Sequence, residues 1–245
     1  MYKFLIAIIA FGSISLHSCI AINKTKGSIK GASLLYHIPV ANRDGSITDL
    51  NSSYEVYYYG DLNMYKLNYQ YDSLVNDELK LREDRNNFFV FHKDSAFGYL
   101  FDRAPSLPDR RARLDSVKIN SFENYRWDSL LTMKVDSVFN DSEGNLINVY
   151  KLPPTKDYPG KFTYYFYYTK KLNGIRETFS KNLEEFNKMK IFKIRMVIHE
   201  VYHEKYKMTL PERESYYEMK EIPVINSKQI LEYFNKYEKL INIRS

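Results

Sequence analysis

The chain has 245 residues, 44% of them hydrophobic and 27% charged, with a formal net charge of +6. That length supports one well-cored domain or at most two small ones, and 9 Gly with 8 Pro exclude a low-complexity chain. The basic residues are interspersed with Asp and Glu rather than blocked, which excludes a nucleic-acid footprint.

Lys3 precedes an apolar run over residues 4–16. The run is too short for a membrane span, which needs about 20 apolar residues, and has the length of a signal-peptide core. It ends in Leu16-His17-Ser18-Cys19, which resembles the lipobox of bacterial lipoproteins. The resemblance implies a signal peptide over 1–18, cleavage before Cys19 and lipid on that cysteine. A lipidated tether over 19–28 would then lead into a single β-rich domain, 29–245. Cys19 is the one cysteine of the chain, so an exported product has no internal disulfide. Each acyl methylene buried in a bilayer adds about 0.8 kcal/mol, so several chains on Cys19 would anchor the protein stably. Ile20, rather than an acidic residue, implies transfer to the outer membrane. Residues 20–28, IAINKTKGS, carry no acidic run, and by resemblance to Bacteroidota lipoproteins this implies the periplasmic face rather than the cell surface.

The domain reads as predominantly strand. Tyrosine is the outlier, 23 residues beside 15 Phe and one Trp, and such residues favour pleated, half-buried surfaces. In LNMYKLNYQYD (62–72), Tyr65, Leu67, Tyr69 and Tyr71 alternate with Lys66, Asn68 and Gln70, the period of a half-buried strand. FFVFHKD (88–94) and AFGYLFD (96–102) read as two strands meeting at a Lys-Asp-Ser turn. RAPSLPDRRAR (103–113) reads as a Pro-bounded loop holding Arg103, Arg110, Arg111 and Arg113, either a solvated charged loop or an anion site. Leu130 to Phe139 and LINVYKL flank NDSEGN and predict a hairpin.

KFTYYFYYTKK (161–171) is aromatic on both faces. Phe162, Tyr164, Phe166 and Tyr168 form one, while Tyr165 and Tyr167 share the other with Thr163 and Thr169. One reading is a central strand with core below and a cross-strand ladder above. The other makes Tyr165 and Tyr167 a candidate binding surface for a glycan, peptide or lipid. SKNLEEFNKMK (180–190) predicts a short helix capped by Ser180, with acids early and lysines late. SKQILEYFNKYEKLIN (227–242) predicts a second helix, with Ile230, Leu231, Phe234, Tyr237, Leu240 and Ile241 at helical spacing. The fold class is therefore mainly β (α+β): an antiparallel sheet, flat or curved, a short helix near 180–190 and a C-terminal packing helix.

HEVYHE (199–204) contains the His-Glu-x-x-His pattern of zinc peptidases. On a helix, His199 and His203 would share a face and reach one zinc, with Glu200 as general base. On a strand the two lie about 13 Å apart, four steps of about 3.3 Å, and one tetrahedral ion cannot take both. The surrounding IFKIRMVIHEVYHEKYKM (191–208) is rich in β-branched residues and predicts strand. No histidine follows, so a third ligand would have to be Glu218 or Glu221. No cofactor is expected, zinc at His199 and His203 being the alternative.

Asp-Ser occurs six times, at 72–73, 94–95, 115–116, 128–129, 136–137 and 141–142, where composition alone gives about one. An apolar residue follows in five, after Ser73, Ser95, Ser116, Ser129 and Ser137. The pattern resembles the O-glycosylation sequon of exported Bacteroidota proteins, which implies those five serines as candidate acceptors. Asp-Ser is equally good turn chemistry ahead of a strand. The expectation is a lipid-anchored periplasmic protein that binds a protein, glycan or lipid partner, or assists envelope assembly. No catalytic set argues for an enzyme; the alternative is a zinc peptidase.

Overall fold

The computed structural model describes residues 27–242 apart from 43, 76–77, 103–109, 118–124, 155–159 and 205–206. Cys19 and residues 1–18, the candidate leader, lie outside the described residues. Among the described residues no helix is long and apolar enough to cross a membrane.

Among the described residues, thirteen strands and three α-helices make up the fold. The N-terminal strands are β1 (Lys30–Ala41), β2 (Ile47–Tyr59), β3 (Leu62–Val75), β4 (Glu78–His92), β5 (Phe97–Asp102) and β6 (Arg110–Arg113). A four-residue α1 (Leu114–Val117) and a 3-10 helix (Tyr125–Thr132) follow. Next come β7 (Ser137–Asn140), β8 (Leu146–Leu152), β9 (Phe162–Thr169), α2 (Lys181–Asn187) and β10 (Lys190–Ile198). The chain ends in β11 (Val201–His203), β12 (Met208–Leu210), β13 (Arg213–Ile222) and α3 (Ser227–Asn242).

Eleven strands form one open antiparallel sheet in the order β6-β5-β4-β3-β2-β1-β13-β10-β9-β8-β7, and β11 and β12 form a separate hairpin. The sheet is two meanders joined where β1 pairs with β13. The fold is mainly β, as the alternating segments predict. The 62–72 run falls in β3, and the runs beginning at 88 and 96 form β4 and β5 around a turn in which Ser95 N–H donates to the His92 carbonyl.

Both faces of the sheet carry cores. On one, Leu34, Phe89, Phe166, Ile191 and Ile194 are buried beneath Leu130, Ile175, Phe179 and Leu183, with Trp127 packed alongside. These covering residues come from the 3-10 helix, α2 and the strap before α2. The strap is pinned by polar contacts. Tyr65 donates its hydroxyl proton to Glu177 (2.9 Å), and Arg176 donates to Asn63 Oδ1 (2.8 Å) and to the Gly60 carbonyl. On the second face, α3 lays Ile230, Tyr233, Phe234 and Tyr237 over Tyr57, Met64, Val90, Tyr99 and Phe101.

Both predicted helices are present. Ser180 caps α2, its hydroxyl accepting from Leu183 N–H at 3.2 Å, and α3 occupies the full predicted span, 227–242. Two expectations are corrected. Residues 130–136 are not strand: β7 starts only at Ser137, because Trp127, Leu130, Met133 and Val135 pack down onto the sheet instead. Asp128 holds that segment in place, accepting from Ser180 Oγ (2.6 Å) and Asn182 Nδ2 (2.9 Å) at the start of α2. Arg110, Arg111 and Arg113 are not in a loop: they form the edge strand β6, paired with β5.

Candidate functional site

Strand register defines the site. On the α3 side of the sheet, one row of neighbours runs Val149, Tyr165, Arg195, Tyr216, His37, Asn51 across β8, β9, β10, β13, β1 and β2. The adjacent row runs Ile147, Tyr167, Lys193, Glu218, Leu35, Ser53. The apolar cluster under α3 draws on β2 to β5 and the end of β13, and none of its described members comes from β7 to β10. Tyr165 and Tyr167, the candidate binding residues, therefore stand half-buried on a part of the sheet that α3 does not cover.

Cations deck these rings. The Arg195 guanidinium lies 4.8 Å from the Tyr165 ring centroid and forms a 2.7 Å ion pair with Glu214. The Lys193 ammonium sits 5.7 Å from the Tyr167 centroid and 5.5 Å from that of Tyr216. Tyr216 in turn stacks on His37 at 5.1 Å, and His37 Nδ1 is 2.8 Å from Asn51 Oδ1. Partial burial alone would make the Arg195 guanidinium easier to deprotonate. The Glu214 carboxylate and the Tyr167 hydroxyl reverse that and hold its pKa above the ordinary value. The surface is thus an alternating aromatic and cationic ladder, with planar faces and fixed N–H donors presented together.

HEVYHE is divided between two environments. β10 ends at Ile198, His199 and Glu200 lie in the connection, and His203 closes β11. Neither histidine is on a helix. His199 Nε2 is 2.8 Å from Thr163 Oγ1 and its Nδ1 is 3.0 Å from Glu212. A carboxylate only accepts, so Nδ1 carries a proton, and in the neutral ring Nε2 accepts from the threonine. Glu218 is five residues beyond Arg213, the partner of Ile198, which places it about 16 Å along the strand at about 3.3 Å per residue. It therefore does not complete a site with His199. Glu221 is further still. Among the described residues no group of three or more His, Cys, Asp or Glu could hold a metal ion.

The Thr163, His199 and Glu212 contacts have the order of a nucleophile, its base and an orienting acid. Thr163, however, is 5% exposed and paired on both sides, by Lys151 and Val197, so a carbonyl carbon has no approach to its oxygen. The cluster ties the end of β10 to β9 and to the residue before β13. Sequence inspection missed it because Glu212 meets His199 only through the intervening β11–β12 hairpin.

The candidate acceptor serines are scattered over the fold. Ser73 lies within β3 at the bulge between Ser73 and Leu74. Ser95 is in the β4–β5 turn, donating to the Phe97 carbonyl at 2.8 Å. Ser116 is exposed in α1 and donates to the Arg113 carbonyl at 2.7 Å. Ser129 is exposed in the 3-10 helix, and Ser137 is exposed at the start of the edge strand β7.

No protein-family model, curated protein or solved structure matches this chain.

Proposed function

We propose that the protein is a lipid-anchored component of the outer membrane, periplasmic in orientation, that binds a protein or glycan partner through the ladder around Tyr165, Arg195, Tyr216 and His37. The observation that carries this reading is where these residues stand. Large planar side chains with cationic decks occupy the part of the sheet left bare by α3. Aromatic rings that keep a polar handle are the residues recognition surfaces use most, because they bury area at little rotamer cost. The leader pattern ending at Cys19 supplies the anchoring half of the proposal, and Ser73, Ser95, Ser116, Ser129 and Ser137 are its candidate sugar acceptors.

Two measurements test the two halves separately. Cys19→Ala should move the protein from the membrane to the soluble fraction of the native host. Retention in the membrane, with no acyl label on the wild type, overturns the anchor. A photo-crosslinking residue at Tyr165 should trap a discrete partner in intact envelopes, and the same residue at Glu232, exposed on α3, should not. Identical adduct patterns at both positions, or none at Tyr165, overturn the binding surface.

A further inference from the structure

At the other end of the α3 side, away from the open ladder, the last two turns of α3 meet β5 and the edge strand β6 around a cavity of about 320 Å³. Ser95, Phe97, Tyr99, Arg111, Tyr237 and Ile241 line it, with Gly98 backbone between them. Its size is at the lower end of the range for small-molecule sites, about 300 to 1,000 Å³. It has room for one ring or a short chain.

The polar groups facing this space are unbalanced in one direction. The Arg111 guanidinium lies over the Phe97 ring, 4.6 Å from its centroid, and makes no ion pair or hydrogen bond with another described residue. A guanidinium resting on a ring keeps its in-plane N–H fork for another acceptor. Tyr237 is 4% exposed. Its oxygen accepts from His92 N–H at 3.1 Å, which leaves its O–H to donate. Ser95 is already committed, its hydroxyl donating to the Phe97 carbonyl. The neighbouring Arg113 is committed as well, to Asp115 at 2.7 Å. Among the described residues, no carboxylate lines the cavity. It therefore offers two donors, one of them a fixed positive charge, against walls supplied by Phe97, Tyr99 and Ile241.

From this arrangement we infer a binding site for a small amphipathic anion: a phosphate, sulfonate or carboxylate group carried on an aromatic ring or short apolar chain. The anion takes the Arg111 fork and the Tyr237 proton, and the apolar body lies against Phe97, Tyr99 and Ile241. A two-chain lipid is too large for the space. The site is independent of the Tyr165 surface, since no residue is shared.

Calorimetric titration of the purified protein with phenyl phosphate tests the inference, with inorganic phosphate and benzamide as the charge-only and ring-only comparisons. Phenyl phosphate should bind at one site, about tenfold or more tighter than either comparison, as a charge-assisted bidentate contact plus ring burial requires. Arg111→Gln should weaken it about tenfold or more, and Tyr237→Phe, which keeps the ring and the helix packing, about three- to tenfold. Arg113→Gln should leave binding unchanged. Circular dichroism establishes that each variant is folded. Absence of phenyl phosphate binding at millimolar concentration overturns the inference. So does equal affinity in folded Arg111→Gln, or inorganic phosphate binding as tightly as phenyl phosphate.

Discussion

The α3 side of the sheet is two surfaces built on one set of strands. Where α3 lies, a row of cross-strand neighbours reads Tyr57, Met64, Val90, Tyr99. Where it does not, the equivalent rows read Tyr165, Arg195, Tyr216, His37 and Tyr167, Lys193, Glu218, Leu35. Backbone pairing is antiparallel throughout, so strand geometry does not distinguish them. The cover does. Beneath a helix, a side chain must be apolar or have its polar atoms matched. On a bare sheet, tyrosines with cationic neighbours can keep water off the strands while leaving charged ends solvated. The same tyrosine-rich composition thus serves as core in one half and as surface in the other.

The sharpest break of this contrast is Phe234→Ala. Phe234, on the sheet-facing side of α3, is fully buried and packs beside Tyr59 at 5.6 Å. Its truncation should cost about 3 to 5 kcal/mol, seen as a lowered urea midpoint. If α3 is only a loosely held appendage, the midpoint will barely move.

A smaller effect compares similar polar chemistry under cover and in the open. Tyr65 is 2% exposed and donates to Glu177 beneath the strap. Tyr65→Phe leaves that carboxylate short of a donor and should cost about 1 to 3 kcal/mol. Burial, with the Glu177 charge adding to it, holds the Tyr54, Tyr58 and Tyr65 phenols above the ordinary tyrosine range. A raised folded-state pKa means the contribution is whole below about pH 10, the unfolded value. It is lost as pH rises further, because the unfolded chain then releases protons that the folded chain retains. Stability measured from pH 8 to 11 should therefore fall steeply above about 10, and less steeply in Tyr65→Phe. An unchanged slope would mean these phenols ionise as freely folded as unfolded.

The smallest effect belongs to the bare half. Arg195→Ala removes the Glu214 ion pair and the deck over Tyr165, yet on a half-solvated surface it should cost about 1 kcal/mol or less. A loss of several kcal/mol would make the ladder structural support for the sheet rather than a presented surface.

Much of this architecture was legible in the chain. Ser227–Asn242 shows its period because α3 buries one stripe only, and Ser180 announces α2 because a cap needs a particular side chain at a particular place. Residues 130–136 misled because local propensity favours strand there, while Leu130, Met133 and Val135 gain more by covering the sheet. The site was half legible. Tyr165 and Tyr167 stand out on the second face of an aromatic run, but Arg195, Tyr216 and His37 reach them by pairings 20 or more residues apart, which no local pattern records. His199 drew attention as part of a zinc pattern, and its partners Thr163 and Glu212 arise from the strand end and the hairpin return.

The seam between the two meanders governs how the molecule bears load. Any pull transmitted through the N-terminal segment enters β1, which is flanked by β2 over twelve residue pairs and by β13 over seven. Tension along β1 runs across both ladders in shear, so many hydrogen bonds share the force rather than yielding one after another. β13 follows every other described strand in the chain, so this clamp closes only after all of them have been made. The first described strand is thereby made mechanically secure by the last.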